Sequence, residues 1–160
     1  MSVFKNPREL KIILLLLVMV PSNQMSSIPN ERKEIMADVK FYRCERCGQI
    51  VVTIKSTPVT PACCDAPMTL LEAGSVDAAQ EKHVPAIAVV EGGIEVNVGE
   101  VDHPMTEEHL IEWVALVTDT RVDVHTLTAA DAPKTAFAGE FANADVYAYC
   151  NLHGLWKASV

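Results

Sequence analysis

Aromatic residues make up only 6% of the 160 positions, which speaks against an aromatic-rich binding surface. Positive charge is also scarce. The formal net charge is -8, and with residues 1 to 35 set aside 8 basic residues face 18 acidic ones, a net of -10. A basic stripe for a phosphate backbone is absent, which excludes nucleic acid as a partner. Cysteines are few and odd in number, falling at Cys44, Cys47, Cys63, Cys64 and Cys150. That parity excludes a complete disulfide framework, and adjacent cysteines make poor disulfide partners. A reducing compartment, with thiolates committed to metal, follows. The longest apolar run, Ile12 to Val20, falls short of the roughly 20 residues a membrane-spanning helix needs. Helical stripes of useful length, internal repeats and low-complexity tracts are likewise missing.

What remains is a chain with 49% hydrophobic residues, enough for a real core in one domain with a small appendage. Val, Ala, Thr and Ile are plentiful, and they favour short strands. Residues 40–43 and 50–54 read as strands flanking a turn at Cys44-Glu45-Arg46-Cys47-Gly48. Residues 57–67, with three prolines around Cys63-Cys64, suit an irregular loop returning to the same place. Beyond a linker at 73–80, residues 86–90 and 94–98 form a hairpin across Glu91-Gly92-Gly93. Further strands are expected at 110–117, 121–127, 135–140 and 145–149, spaced as in a β-sandwich. Thr106-Glu107-Glu108 could cap a single turn. The expected division is therefore 38–72 for a small metal-binding domain, 73–80 for the linker and 81–160 for the sandwich.

Lys5, Arg8 and Lys11 ahead of the apolar run resemble the start of an export signal, but Pro21 to Met25 offers no A-x-A-like cleavage site, and Met36-Ala37-Asp38 is a natural start. Residues 1–35 are expected to be a disordered extension outside the working protein, with a cytoplasmic location. A periplasmic one is the alternative if they act as a signal.

Cys44-x2-Cys47 and, fifteen residues later, Cys63-Cys64 supply four soft ligands from two loops, as a tetrahedral thiolate site requires. Iron and zinc both accept this set, and a structural zinc ribbon remains the alternative. Two adjacent ligands reach tetrahedral angles only by distorting the backbone between them, so strain is expected at Cys63-Cys64.

Four of the five histidines fall in three compact motifs: Glu81-Lys82-His83-Val84-Pro85, His103-Pro104-Met105-Thr106-Glu107-Glu108-His109, and Cys150-Asn151-Leu152-His153-Gly154. His103 and His109 can share one ion only if the chain turns back, which Pro104 helps to force. Cys150 and His153 have a gap that one tight turn can close on a common centre. His83 is expected at the edge of the first strand of the sandwich. Five protein ligands exceed what tetrahedral zinc prefers, and mixed imidazole and thiolate suit a redox-active first-row metal such as iron, with a sixth position open. His125 stands alone in a strand pattern and is read as non-ligating. Trp113 and Trp156 are read as packing against the sandwich.

At these residues the sequence resembles the desulfoferrodoxin family of superoxide reductases, over essentially all of Asp38 to Val160. The resemblance implies a mainly β protein, with a small desulforedoxin-like domain followed by an immunoglobulin-like β-sandwich. It implies two iron ions, one held by Cys44, Cys47, Cys63 and Cys64 and the other by His83, His103, His109, Cys150 and His153. It further implies reduction of superoxide to hydrogen peroxide, re-reduction by a donor such as rubredoxin, and a homodimer. Glu81 would occupy the sixth position of the resting site, and Lys82 would order a water for proton delivery. A non-enzymatic electron carrier, or a zinc ribbon fused to a sandwich binding module, is the competing reading.

Overall fold

The structure, a computed structural model, describes residues 38–160; the expected extension over residues 1–35 lies outside them. β1 (Lys40–Arg43) and β2 (Ile50–Thr53) pair antiparallel across the cysteine turn, with Arg43 opposite Ile50. The turn closes through Gly48 N–H donating to the Cys44 carbonyl at 2.8 Å. Gly48 stands at φ +76, a conformation that glycine adopts without a Cβ penalty. The Pro-rich return holds a small hairpin of β3 (Ala62–Cys63) and β4 (Ala66–Pro67), and β5 (Thr69–Leu70) then pairs with β1 to give the order β2-β1-β5. Strands this short carry no period that a sequence could display.

β6 (Pro85–Val90) and β7 (Gly93–Val98) form the expected hairpin, with Val90 opposite Gly93 and Gly92 at φ +81. β10 (Lys134–Ala138) joins β7 to complete the sheet β10-β7-β6. The facing sheet, in the order β12-β11-β8-β9, comprises β8 (Ile111–Val117), β9 (Val122–Thr126), β11 (Asp145–Cys150) and β12 (Gly154–Ser159). The seven strands make the immunoglobulin-like sandwich that the resemblance implies. β12 has no counterpart among the expected strands because Leu155 and Trp156 are buried in succession, so no alternation marks it.

β7 buries Ile94, Val96 and Val98 and turns Glu95 outward, the period of a half-buried strand. β8 and β11 are buried on both faces. Val114, Leu116, Val146, Ala148 and Cys150 meet Ile94, Val96, Val98 and Phe137 between the sheets. Trp113, Ala115, Val117 and Tyr149 pack on the other side with Phe41 and Leu155. Phe41 of β1 stacks on Trp113 at 5.0 Å, and Trp113 lies on Tyr149 at 5.3 Å and 7°. The small sheet thus covers the outer face of the four-stranded one. Burying a Phe side chain there contributes roughly 1.5–3 kcal/mol.

Candidate metal centres

The β1–β2 turn supplies Cys44 and Cys47, and the β3–β4 hairpin supplies Cys63 and Cys64. The four sulfurs lie within 4.8 Å of one another. Sγ of Cys63 is 3.7 Å from that of Cys47 and 3.8 Å from that of Cys64. A disulfide bond is about 2.05 Å long, so these are free thiols. The separations match the edge of a tetrahedron, about 3.8 Å, whose centre lies about 2.3 Å from each sulfur, as in thiolate metal sites. Backbone N–H groups of Cys47 and Arg46 bring the Cys44 thiol down to about 7. Hydrogen bonds with Cys47 and Cys44 push Cys63 up to about 12. Thiols crowded in this way resist joint ionisation unless a cation lies among them. The expected strain is visible next to the adjacent pair, where Cys64 and Asp65 stand at φ 51 and 57. Left-handed backbone costs a non-glycine residue about 1–2 kcal/mol.

Four imidazoles and one thiol form the second cluster, also with all donor atoms within 4.8 Å. Around the circuit His83, His103, His109, His153, neighbouring ring centroids are 4.7, 4.5, 4.9 and 4.7 Å apart, with planes inclined by 75 to 85°. His83 and His109, across the circuit, are 6.3 Å apart, so the four rings outline a near-square. The fully buried Cys150 places its Sγ 3.6 Å from His153 Nδ1.

The hydrogen bonds around this square test whether it suits a cation. His83 Nδ1–H donates to the Ala79 carbonyl at 2.7 Å, and His103 Nδ1–H to that of Pro104 at 2.6 Å. Both rings are thereby fixed as tautomers with a bare Nε2. These two bare nitrogens face each other at 3.2 Å, and His83 Nε2 lies 2.9 Å from His153 Nδ1. Corners of a square whose centre is about 2.1 Å from each nitrogen would be about 3.0 Å apart, with a metal–imidazole bond of that length. His109 Nε2 is buried with no hydrogen-bond partner, an arrangement that costs free energy unless something binds there. Desolvation holds His103 at about 4 and shifts His83 and His109 in the same direction. These three rings are therefore neutral, which is the ligating form. Burial raises the Cys150 thiol, so its thiolate needs a neighbouring positive charge. On each count the donors fit a metal ion, and five mixed nitrogen and sulfur donors fit iron better than tetrahedral zinc.

Where the chain delivers these residues differs from expectation in one case. His83 sits not on the edge of a strand but at the end of a single helical turn, Gln80–His83, just before β6. The turn lets its ring nitrogen reach back four residues to Ala79, which an extended backbone could not do. His103 and His109 meet because the chain reverses at Thr106–His109, a turn closed by Thr106 N–H to the His109 carbonyl at 3.0 Å. The turn forms an isolated β-bridge, and Thr106 caps it as expected, its Oγ1 accepting from His109 N–H at 3.2 Å. At Cys150 the register of β11 against β8 shifts, so that Ile111, not Glu112, stands opposite. The bulge keeps an apolar neighbour beside the buried sulfur.

Two residues prove more than the sequence indicated. Asn151 accepts from Leu110 N–H at 3.1 Å and donates from Nδ2 to the Glu108 carbonyl at 3.0 Å. It ties the segment on either side of His109, just before β8, to the end of β11 and the turn that carry Cys150 and His153. Trp156 stacks on His83 at 4.9 Å and donates to the His153 carbonyl at 3.0 Å, so its packing orients two donors. Its spacing of three residues from His153 was a usable signal; the contacts of Asn151 left none. Glu81 and Lys82 are exposed on the helical turn. The charge of Lys82 contributes to lowering both His83 and His109, and that of Glu81 opposes it at His83. His125 lies outside both clusters, with Nδ1 2.5 Å from Thr135 Oγ1 and its ring on Phe137.

Comparison with known proteins adds to this geometry. A family model described as desulfoferrodoxin matches residues 75–159, and one described as its N-terminal domain matches residues 37–71. Desulfoferrodoxin from Desulfarculus baarsii is 42% identical over 120 residues, covering 75% of this chain and 95% of that protein. A protein from Thermococcus kodakarensis named superoxide reductase is 34% identical over 99 residues, covering 50% and 86%. The crystal structure of the superoxide reductase from Treponema pallidum superposes with a TM-score of 0.63 at 32% identity, covering 76% of this chain and 98% of that one.

Proposed function

This chain belongs to the desulfoferrodoxin family, and from that premise we propose that it is a superoxide reductase whose chemistry takes place at the cluster of four imidazoles and one thiolate. The observation that carries the reading is the near-square of His83, His103, His109 and His153 with the buried Cys150 as fifth donor. Iron held by His83, His103, His109, His153 and Cys150 would supply one-electron chemistry toward substrate, and iron held by Cys44, Cys47, Cys63 and Cys64 would supply an electron reserve.

The chain's own residues do the rest. With iron held there, the Cys150 thiolate would donate electron density to it, which would favour loss of an electron and departure of the protonated product. The hydrogen bonds of His83 to Ala79 and of His103 to Pro104 hold the rings in their donor tautomers and raise their basicity. Superoxide is an anion, and the net charge of -10 beyond residue 35 repels it at long range. Lys82 offsets that repulsion locally and orders a water that delivers a proton. Glu81, exposed on the same helical turn, would offer its carboxylate to the resting site and would give way to substrate. Each turnover joins one superoxide, one electron and two protons into hydrogen peroxide.

Rubredoxin or a similar small redox protein returns the electron, and the free thiols support a cytoplasmic location. The small lobe exposes apolar side chains, Ile54 and Val59 at 73% and 77% together with Val52 and Leu70, and these support pairing of two copies there. The deciding measurement mixes the reduced, iron-loaded protein with superoxide and counts products. We expect one hydrogen peroxide per superoxide consumed and no dioxygen; dioxygen equal in amount to peroxide would mark a dismutase and overturn the reading.

A further inference from the structure

The helical turn that carries Glu81, Lys82 and His83 is only four residues long, too short to hold its own position. Its restraint comes from the segment that follows β7. Gly99 N–H donates to the Val84 carbonyl at 3.1 Å, and Val101 N–H donates to that of Glu81 at 3.0 Å. These two bonds bracket Lys82 and His83. Gly99 itself is buried, stands at φ +87, and faces the backbone of Lys82 so closely that a Cβ would lie 2.7 Å from both Cα and the carbonyl carbon of Lys82. Only a residue without a side chain permits this approach, because backbone atoms cannot swing aside.

The loop is in turn held by Asn97. Its Nδ2 donates to the Gly99 carbonyl at 2.7 Å and to Asp102 Oδ1 at 3.1 Å, and Lys134 pairs with the same Asp102 oxygen at 3.6 Å. His103 follows directly, so one loop restrains two of the four imidazoles. We infer that Gly99, supported by Asn97, is a positioning residue of the five-donor site: it seats the Glu81–His83 turn so that His83 meets the other donors. The inference rests on the proposed ligand role of His83, and it concerns residues that touch neither metal nor substrate.

Gly92 provides a matched control. It stands at nearly the same φ, +81, but a Cβ added there would meet nothing within 4 Å, so Gly92→Ala carries the strain of a positive φ without the collision. Full-length metal-free Gly99→Ala, Gly92→Ala and unaltered protein are titrated with Fe(II) and with Co(II), reading the two sites by their separate absorption. We expect Gly99→Ala to weaken metal binding at the five-donor site by about tenfold or more, the range for residues that orient ligands, with the four-cysteine site unchanged in both variants. Asn97→Ala should move affinity in the same direction by a smaller factor, which keeps the test open if Gly99→Ala folds poorly. Faster amide exchange at Val101 in Gly99→Ala, with Gly92→Ala unaffected, reads the seating directly. Equal metal affinity in Gly99→Ala and Gly92→Ala overturns the inference and leaves superoxide reduction untouched. Conversely, a protein that binds metal as expected but does not consume superoxide refutes the functional reading, while the difference between the two glycine variants still stands.

Discussion

The four-cysteine cluster and the five-donor cluster are built by opposite strategies. The first draws its ligands from two neighbouring loops of a small sheet, and Cys47 and Cys64 stand open to water. Its nearest apolar support is Tyr42 and Met68. The second gathers donors from as far apart as His83 and His153, separated by 70 residues, and seats them where His83, His103 and Cys150 are all buried. An exposed site of local origin tolerates change around it and suits passing electrons to and fro. A buried site of distant origin depends on many supporting bonds, and it can fix tautomers, exclude water and shape what binds.

Substitutions can test how deep that contrast runs. The largest effect is expected for Cys150→Ser, which should abolish superoxide reduction while the four-cysteine metal stays bound; turnover at the original rate, measured by stopped-flow absorption, would break the contrast outright. Asn151→Ala removes the bonds to Glu108 and Leu110 and should weaken metal at the five-donor site by about 10- to 100-fold. An equal loss at the four-cysteine site would show that the two are not separately supported. Lys82→Met should slow the bimolecular reaction with superoxide by about tenfold and shift its dependence on ionic strength toward acceleration by added salt; an unchanged salt profile would remove Lys82 from the capture of substrate. The smallest effect is expected for Cys47→Ser. It removes an exposed donor and with it the first metal, yet single-turnover reduction of superoxide should fall by less than about threefold, since that site takes no part in binding substrate. A complete loss of that turnover would mean that the exposed site is part of the chemistry.

The same contrast explains what could be read from the sequence. Cys44-x2-Cys47 and Cys63-Cys64 announced their cluster by spacing alone, because a knuckle is a local object. The five-donor site was legible in part, through residue type, the Cys150-x2-His153 gap and resemblance, but nothing in the spacing of His83, His103, His109 and His153 encodes a square. The sandwich strands declared themselves by alternation in β7 and by the Gly92-Gly93 turn. β8 and β11 were found as apolar runs, but that their outer face is covered by Phe41 was not visible, since burial on both sides erases the period. The helical turn at His83 was missed because four residues are too few to show helical spacing. The contacts of Asn151 with Glu108 and Leu110, and the stacking of Trp156 on His83, depend on tertiary placement, which no single motif records.

His83 precedes the first strand of one sheet and His153 lies between the last two strands of the other, so whatever ion they share fastens the two layers of the sandwich at that end. Occupancy then adds to folding stability in proportion to the logarithm of free metal over its dissociation constant. A cell short of iron would hold a looser protein, more open to proteases, and its abundance would track the supply of the element on which it depends.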